Sequence, residues 1–458
     1  MKRTIVVLLV IAMTLTMMVG CAPKTQSGDV STTPQESTSS GTQPSKSTET
    51  PPKEVEISFW HGETQPVRVA GFQSVIDAFE AANPNIKVTQ SAVSNAEMFT
   101  KMVTALATNT NPEMTATAPE RTMAYRKLGH GIAVDDLVKE IDAEHKYVSD
   151  NPKNLYFFDD HYWSVPLWSI TIMLYYREDL LKEAGFNGPP KTWDDMLAIS
   201  KKLTKDGNYG MALPASSGQN CTDQAAWSFL STNKGLVFDQ NGEISFNSPQ
   251  NVETYTFLKE LSKYSPPDST GWSWAETKLA FTSGKAAMAP LFGSILLDLE
   301  KQAPFADSVK ATSIPISANG EPGGNTHTEG MMVFTEDPDK QAACFEFIKF
   351  FMSKEIYGKT LANLQPGLCL PVTETGMNSK EYFENPTQVR FKSIIDAEFN
   401  QVKTGSLYGF KFEKRSDFAG EIGVSFLLGE TLQRVVSGQL SPADAVKWGE
   451  EQMIALTK

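Results

Sequence analysis

The stretch Val55-Glu56-Ile57-Ser58-Phe59-Trp60-His61-Gly62-Glu63 opens the folded part of this chain and sets its architecture. Apolar and polar residues alternate from Val55 to Trp60, the period of a strand with one face toward a core. His61-Gly62-Glu63 turns the chain. Phe72, Val75, Ile76 and Phe79 then recur at i, i+3, i+4, i+7, the spacing of a helix with one apolar face. Asn83-Pro84-Asn85 stops that helix, and Ile86-Lys87-Val88 reads as a second strand. Phe99, Met102, Val103 and Leu106 repeat the helical stripe. Met114 to Ala118 is a short third strand, and Pro119-Glu120-Arg121 leads into another helix. This β-α-β-α-β order predicts an α/β fold whose sheet is mostly parallel and covered by helices.

A second series follows. Ser164-Val165-Pro166-Leu167-Trp168 and Ile172-Met173-Leu174-Tyr175-Tyr176 are strand-like. Pro189-Pro190-Lys191-Thr192 precedes a helix from Trp193 to Leu203. Thr192 can cap its first turn, with Asp195 three residues on completing an approximate capping box. Asp194 and Asp195 thereby gain a structural use at a helix N-terminus. The last third is helix-rich: Asp337-Pro338 and Ser441-Pro442 each place a cap before a proline at the first helical position.

Upstream, Lys2 and Arg3 precede an apolar run from Ile5 to Val19, then Gly20 and Cys21. The run is short for a membrane span and has the order of a cleaved export signal. Met18-Val19-Gly20-Cys21 resembles a lipobox, which implies a signal peptide over 1–20 and a lipid on Cys21. Residues 21–53 are rich in Ser, Thr, Pro, Gln and Gly, a composition that cannot offset its ordering entropy and predicts a disordered linker. Such a tether spans roughly 30 Å.

The chain after residue 53 is long for one core, so two domains are expected. The formal net charge of −13 disfavours nucleic acid as a partner, and loss of Lys2 and Arg3 with the signal makes the mature chain more acidic still. With Cys21 acylated, Cys221, Cys344 and Cys369 remain, an odd number that builds no complete disulfide framework. Cys344 shares a helical stripe with Phe347, Ile348 and Phe351 and reads as a small core residue. A Cys344–Cys369 bridge is the alternative.

No His-Glu-x-x-His, Gly-x-Ser-x-Gly, Walker loop or dinucleotide fingerprint occurs. His327-Thr328-Glu329 offers two metal ligands without a third, which reads as a polar loop. Asp135-Asp136 and Asp159-Asp160 are adjacent in sequence, unlike carboxylates that face each other across a glycosidic bond, so turn or cap roles are expected. No catalytic residue, metal or cofactor is assigned. Aromatic residues instead gather near strand ends: Trp60 beside His61 and Glu63, Trp168 after a proline, Trp272 and Trp274 around a turn, and Phe292 before Gly293. Ligands of open α/β sheets bind beyond the carboxyl ends of strands. A flat ring suits the C–H face of a sugar, while carboxylates, amides or Arg suit its hydroxyls. Each Trp has a core role as its alternative.

Three blocks then resemble the extracellular solute-binding proteins of family 1, which serve ATP-driven sugar importers and have maltodextrin-binding protein as a distant relative. The first runs Asp160-His161-Tyr162-Trp163-Ser164-Val165-Pro166, then Leu174 to Gly185, then Pro189-Pro190-Lys191-Thr192-Trp193-Asp194-Asp195. The second is Ala280-Phe281-Thr282-Ser283-Gly284-Lys285-Ala286-Ala287-Met288. The third is Gly330-Met331-Met332-Val333-Phe334 before Asp337-Pro338. Arg177 stands where the family usually has Asn, and His327-Thr328-Glu329-Gly330 replaces a commoner double glycine.

The resemblance implies a two-lobed periplasmic-binding-protein-like fold of type II, with ligand in the cleft between two hinged α/β lobes. By analogy 54–164 plus 288–326 form the first lobe and 165–287 plus 327–458 the second. It places Trp60, His61, Glu63, Glu120, Arg121, Trp168, Phe292 and Glu329 at the ligand, joined by Asn220, Trp272 and Trp274 from the reading of the residues. The function so implied is a monomeric, lipid-anchored, extracytoplasmic receptor that is not an enzyme. It captures an oligosaccharide, such as a plant-derived xylo-oligosaccharide, and delivers it to the membrane permease subunits of an ABC importer. A surface glycoside hydrolase or lyase is the rival reading.

Overall fold

The structure, a computed structural model, describes residues 53–412 and 414–458, without the side chains of Asn95 and Ala96. The expected signal, Cys21 and all of the linker except Lys53 lie outside the described residues.

The first series forms as its periodicity predicts. Strand β1 (Val55–His61) pairs in parallel with β2 (Ile86–Ala92) and β3 (Met114–Thr117). Helix α1 (Pro66–Ala82) buries Phe72, Val75, Ile76 and Phe79, the four residues of its stripe. Helices α2 (Asn95–Thr108) and α3 (Pro119–Lys127) follow β2 and β3.

The two strand-like runs after Trp163 are one strand, β4 (Val165–Arg177), and each of its 13 residues is buried. Burial of every position, Ser169 and Thr171 included, marks a strand covered on both faces. Helix α4 (Trp193–Leu203) has the expected capping box between Thr192 and Asp195. Helix α5 (Asn220–Ser231) and α6 (Trp274–Thr282) precede β5 (Met288–Phe292), β6 (Val309–Thr312) and β7 (Thr326–Val333). Asp337 caps α7 (Pro338–Met352) by accepting from the amides of Asp339 and Lys340. Short β8 (Leu370–Pro371), α8 (Lys392–Thr404), α9 (Ala419–Gly423), α10 (Leu427–Val436) and α11 (Pro442–Ala455) complete the elements used below.

Strand β4 belongs to two groups of strands. Its first half, Val165 to Thr171, pairs antiparallel with β7, which pairs antiparallel with β3. Its second half, Ile172 to Arg177, pairs antiparallel with β5 and β6. Two expectations change here. The sheet is mixed rather than mostly parallel, because β7 and β4 enter the first group from the later part of the chain and run against it. The expected partition also changes: β7, assigned to the second lobe, completes the first sheet, whereas β5 and β6, assigned to the first, pair with the outer half of β4. Backbone hydrogen bonding decides both, and local periodicity carries no record of it.

The core follows these groups. Phe59, Phe72, Phe79, Phe347 and Phe351 pack together under the first sheet, with the Phe79 and Phe347 rings perpendicular at 5.2 Å. Trp193, Trp227, Phe229, Phe257 and Leu432 form the second cluster, where Trp193 stacks on Phe257 at 4.2 Å. Cys344 and Cys369 are buried and free, so the alternative bridge is absent. Asp159 and Asp160 adopt left-handed backbone at a tight hairpin turn, and Asp135 accepts from the Tyr162 amide and pairs with His161, as structural roles require.

Candidate functional site

The strand order brings the polar candidates to one edge. Strands β1 and β3 are parallel and end together, and Thr117 at the end of β3 lies opposite Gly330 of β7. Residues just before Gly330 therefore lie beyond the end of β3, where Pro119 starts α3. Glu63 follows β1, Glu120 and Arg121 open α3, and His327 and Glu329 share one face of β7 by strand alternation. Their charges act on one another there. Desolvation pushes the Glu329 carboxyl up to about 7, Arg121 opposes this, and Glu120 and Glu63 add repulsion.

The facing side comes from later elements. Asp223 and Gln224 of α5 are buried, and Asp223 Oδ1 accepts from the Gly429 amide at 2.9 Å. Burial pushes the Asp223 carboxyl up to about 7, with Glu120 contributing repulsion. Gln224 Nε2 donates to His327 Nδ1 at 3.2 Å, which leaves the ring proton on Nε2, 3.9 Å from Glu329 Oε1. Burial lowers the His327 pKa to about 4, with Arg121 acting in the same direction, so the ring is neutral near pH 7. Glu120 is raised as well, first by burial, and its Oε2 is enclosed without a hydrogen-bond partner.

Helices α3 and α9 touch over this edge. A Cβ on Gly423 would lie 2.8 Å from the Glu120 Cβ, and one on Gly420 would lie 2.9 Å from the Glu120 carbonyl oxygen. Glycine is what permits this approach. Lys127 of α3 pairs with Glu421 of α9 at the rim.

The aromatic candidates divide. Trp60 is half-buried against Met102, Leu106 and Tyr125. Trp274 and Phe292 are half-buried and meet at 4.7 Å between ring centroids. Trp272 is half-buried, and its carbonyl accepts from the Ala215 and Ser216 amides. Asn220 is exposed as the first residue of α5. Two candidates need correction. Trp168 is 1% exposed and packs against Phe72 and Phe351, so it is core and offers no open face. His61 is fully buried beside Phe72, with Nε2 on Gln90 and Nδ1 accepting from the Glu63 amide; it positions the Glu63 loop. Glu63 itself is held by Arg68, which also donates to Gln365 Oε1.

Sequence reading missed Asp223, Gln224 and Tyr125 and took His327 for an ordinary loop residue. The uninterrupted buried face of α5, Thr222 to Ser231, includes polar residues that a simple amphipathic helix would expose, and this was the available signal. Among the described residues no group of three His, Cys, Asp or Glu is placed to hold a metal ion. No described helix is long and apolar enough to cross a membrane.

This polar ring beyond the strand ends, with helices from the other strand group over it, is the candidate ligand site. The sequence pattern of the bacterial extracellular solute-binding protein family matches residues 64–357. The chain belongs to that family. It is 22% identical over 404 residues to the putative ABC transporter periplasmic-binding protein YcjN of Escherichia coli K12, covering 87% of this chain and 92% of that protein. The maltose-bound MalE3 of T. maritima superposes with a TM-score of 0.71 at 16% identity, covering 88% of this chain and 99% of its own. A sugar transporter protein from Arthrobacter chlorophenolicus A6 with bound laminaribiose gives 0.72 at 20% identity, covering 88% and 100%. The fold of this solute-binding protein is accordingly the two-lobed, MalE-like type II arrangement, with β4 passing between its strand groups.

Proposed function

We propose that the protein is the lipid-anchored receptor of an ABC importer, outside the cytoplasm, and that it captures an oligosaccharide. The observation that carries this reading is the convergence of Glu63, Glu120, Arg121 and Glu329 at the strand ends, opposite Asp223 and Gln224. Carboxyl, amide and guanidinium groups match the hydroxyl edge of a sugar. Trp60, Trp272, Trp274 and Phe292 supply half-buried aromatic surface for its C–H faces. Maltose and laminaribiose in the structural neighbours support a saccharide, and the YcjN relative supports delivery to a permease.

The hinge falls in β4 near Thr171 and Ile172, where pairing passes from β7 to β5 and β6. One lobe carries β1, β2, β3 and β7, and the other carries β5, β6, α5 and α10. Ligand that contacts both lobes binds the closed state better than the open one, so occupancy drives closure. The permease reads closure, and the lipid on Cys21 keeps a monomeric receptor within reach of it. Plant-derived β-linked chains, xylo-oligosaccharides among them, suit a site with several aromatic surfaces.

Thermal-shift screening of the mature protein against neutral di- to tetrasaccharides, followed by calorimetry, tests this. One sugar should raise the melting temperature and bind near micromolar, about 8 kcal/mol in total. Glu329→Gln should cost that ligand about 1–3 kcal/mol. Failure of every sugar to bind would sink the reading. Shortened products after long incubation would move the protein to the glycoside hydrolases.

A further inference from the structure

The cleft has more hydrogen-bond acceptors and negative charge than its own residues satisfy. Carboxyl groups reach it from four places: Glu63 after β1, Glu120 on α3, Glu329 on β7 and Asp223 on α5. Glu120 Oε2 is enclosed and has no hydrogen-bond partner, whereas the buried Asp223 carboxyl is held by the Gly429 amide and the Tyr408 hydroxyl. The Tyr125 hydroxyl, on a residue with no exposed surface, also lacks a hydrogen-bond partner, and it lies within the fields of Arg121, Glu329 and Glu120.

The cations nearby are already engaged. Arg68 is paired with Glu63 and bound to Gln365. Arg121 stands near Glu329, Glu120 and Tyr125 and offsets the charge of the two carboxylates. His327 is neutral near pH 7 because burial disfavours its charged form. A buried acceptor without a donor is costly, and a buried carboxylate beside a second anion more so.

Accepting the saccharide reading, we infer that the cleft takes uncharged, hydroxyl-rich saccharides and rejects those that carry a carboxylate or phosphate. Sugar hydroxyls donate to Glu120 Oε2 and can accept from Tyr125. An ionised uronate or phosphate group brings oxygens that cannot donate, and it adds charge where Glu120, Glu329 and Asp223 already repel one another. Binding such a ligand would require those carboxyls to take up protons.

The test is calorimetry on the mature protein at pH 7.5. Neutral cello-, xylo-, laminari- and malto-oligosaccharides are compared with oligogalacturonides, glucuronic-acid-substituted xylo-oligosaccharides and sugar phosphates. The expected result is a neutral ligand that binds at least 100-fold more tightly than any acidic one. Glu120→Gln and Glu329→Gln together should narrow that gap. An acidic saccharide that binds the unaltered protein within tenfold of the best neutral one overturns this inference and leaves the saccharide reading standing. Absence of binding by neutral and acidic sugars alike overturns both.

Discussion

Tyr175 of β4 donates a 2.5 Å hydrogen bond to Glu398 of α8, and both side chains are buried. Glu398 Oε2 has no partner, and burial pushes the carboxyl up to about 8, against the stabilising effect of the Tyr175 hydroxyl on its charged form. The acid is therefore neutral in the folded protein across most of the physiological range.

This fixes the sign of one pH dependence. A carboxyl with a raised folded pKa holds its proton more tightly when folded, so its contribution is complete below about 4.5 and is lost as pH rises through about 8. Asp223 and Glu329, each raised to about 7, act in the same direction. His327, lowered to about 4, acts oppositely: its contribution is present above 6.5 and is lost as pH falls through 4. With three carboxyls losing their contribution and one His gaining, the melting temperature should fall from about pH 4.5 toward pH 8. Glu398→Gln should flatten the alkaline fall, and an unchanged slope would refute the assignment.

Trp168→Ala removes a buried indole from between Phe72 and Phe351 and should cost about 3–5 kcal/mol in denaturant unfolding. Trp168→Phe should keep more stability and leave sugar affinity unchanged. A loss of affinity without loss of stability would return Trp168 to the ligand surface.

Gly423→Val places a side chain where the Glu120 Cβ now sits. The variant should close incompletely, because Gly423 is buried against Glu120. Small-angle scattering should show the ligand-induced fall in radius of gyration diminished relative to the unaltered protein. An equal fall in both would mean that α3 and α9 need not approach for closure.

Cys21→Ser should remove the acylation site and release the protein from the membrane fraction of expressing cells, with ligand affinity of the released protein intact. Retention in the membrane fraction would point to an uncleaved leader as the anchor.

Much of the local structure was legible because it depends on neighbours in sequence. The stripe Phe72, Val75, Ile76, Phe79 gave α1, and Thr192 with Asp195 gave the cap of α4. Glu63, Glu120, Arg121 and Glu329 were legible as candidates because they flank strand ends, and they meet in the folded chain. Trp168 was not legible as core. A Trp in an apolar run reads alike whether its face is covered or open, and here Phe72 and Phe351, distant in sequence, cover it.

By itself the sequence determined the α/β rhythm, the helix caps, the acidic character and the identity of the polar groups at the strand ends. These follow from side-chain period, capping chemistry and charge, which act over a few residues. Only the tertiary structure decided that β4 serves two strand groups, that β7 completes the first sheet, and that Asp223, Gln224 and His327 join the candidate site. Each of these rests on hydrogen bonds or burial between residues far apart in the chain, such as Thr117 opposite Gly330 and Gln224 against His327. Such long-range partners are fixed when the sheets pair and the helices pack, and no window of sequence contains both members.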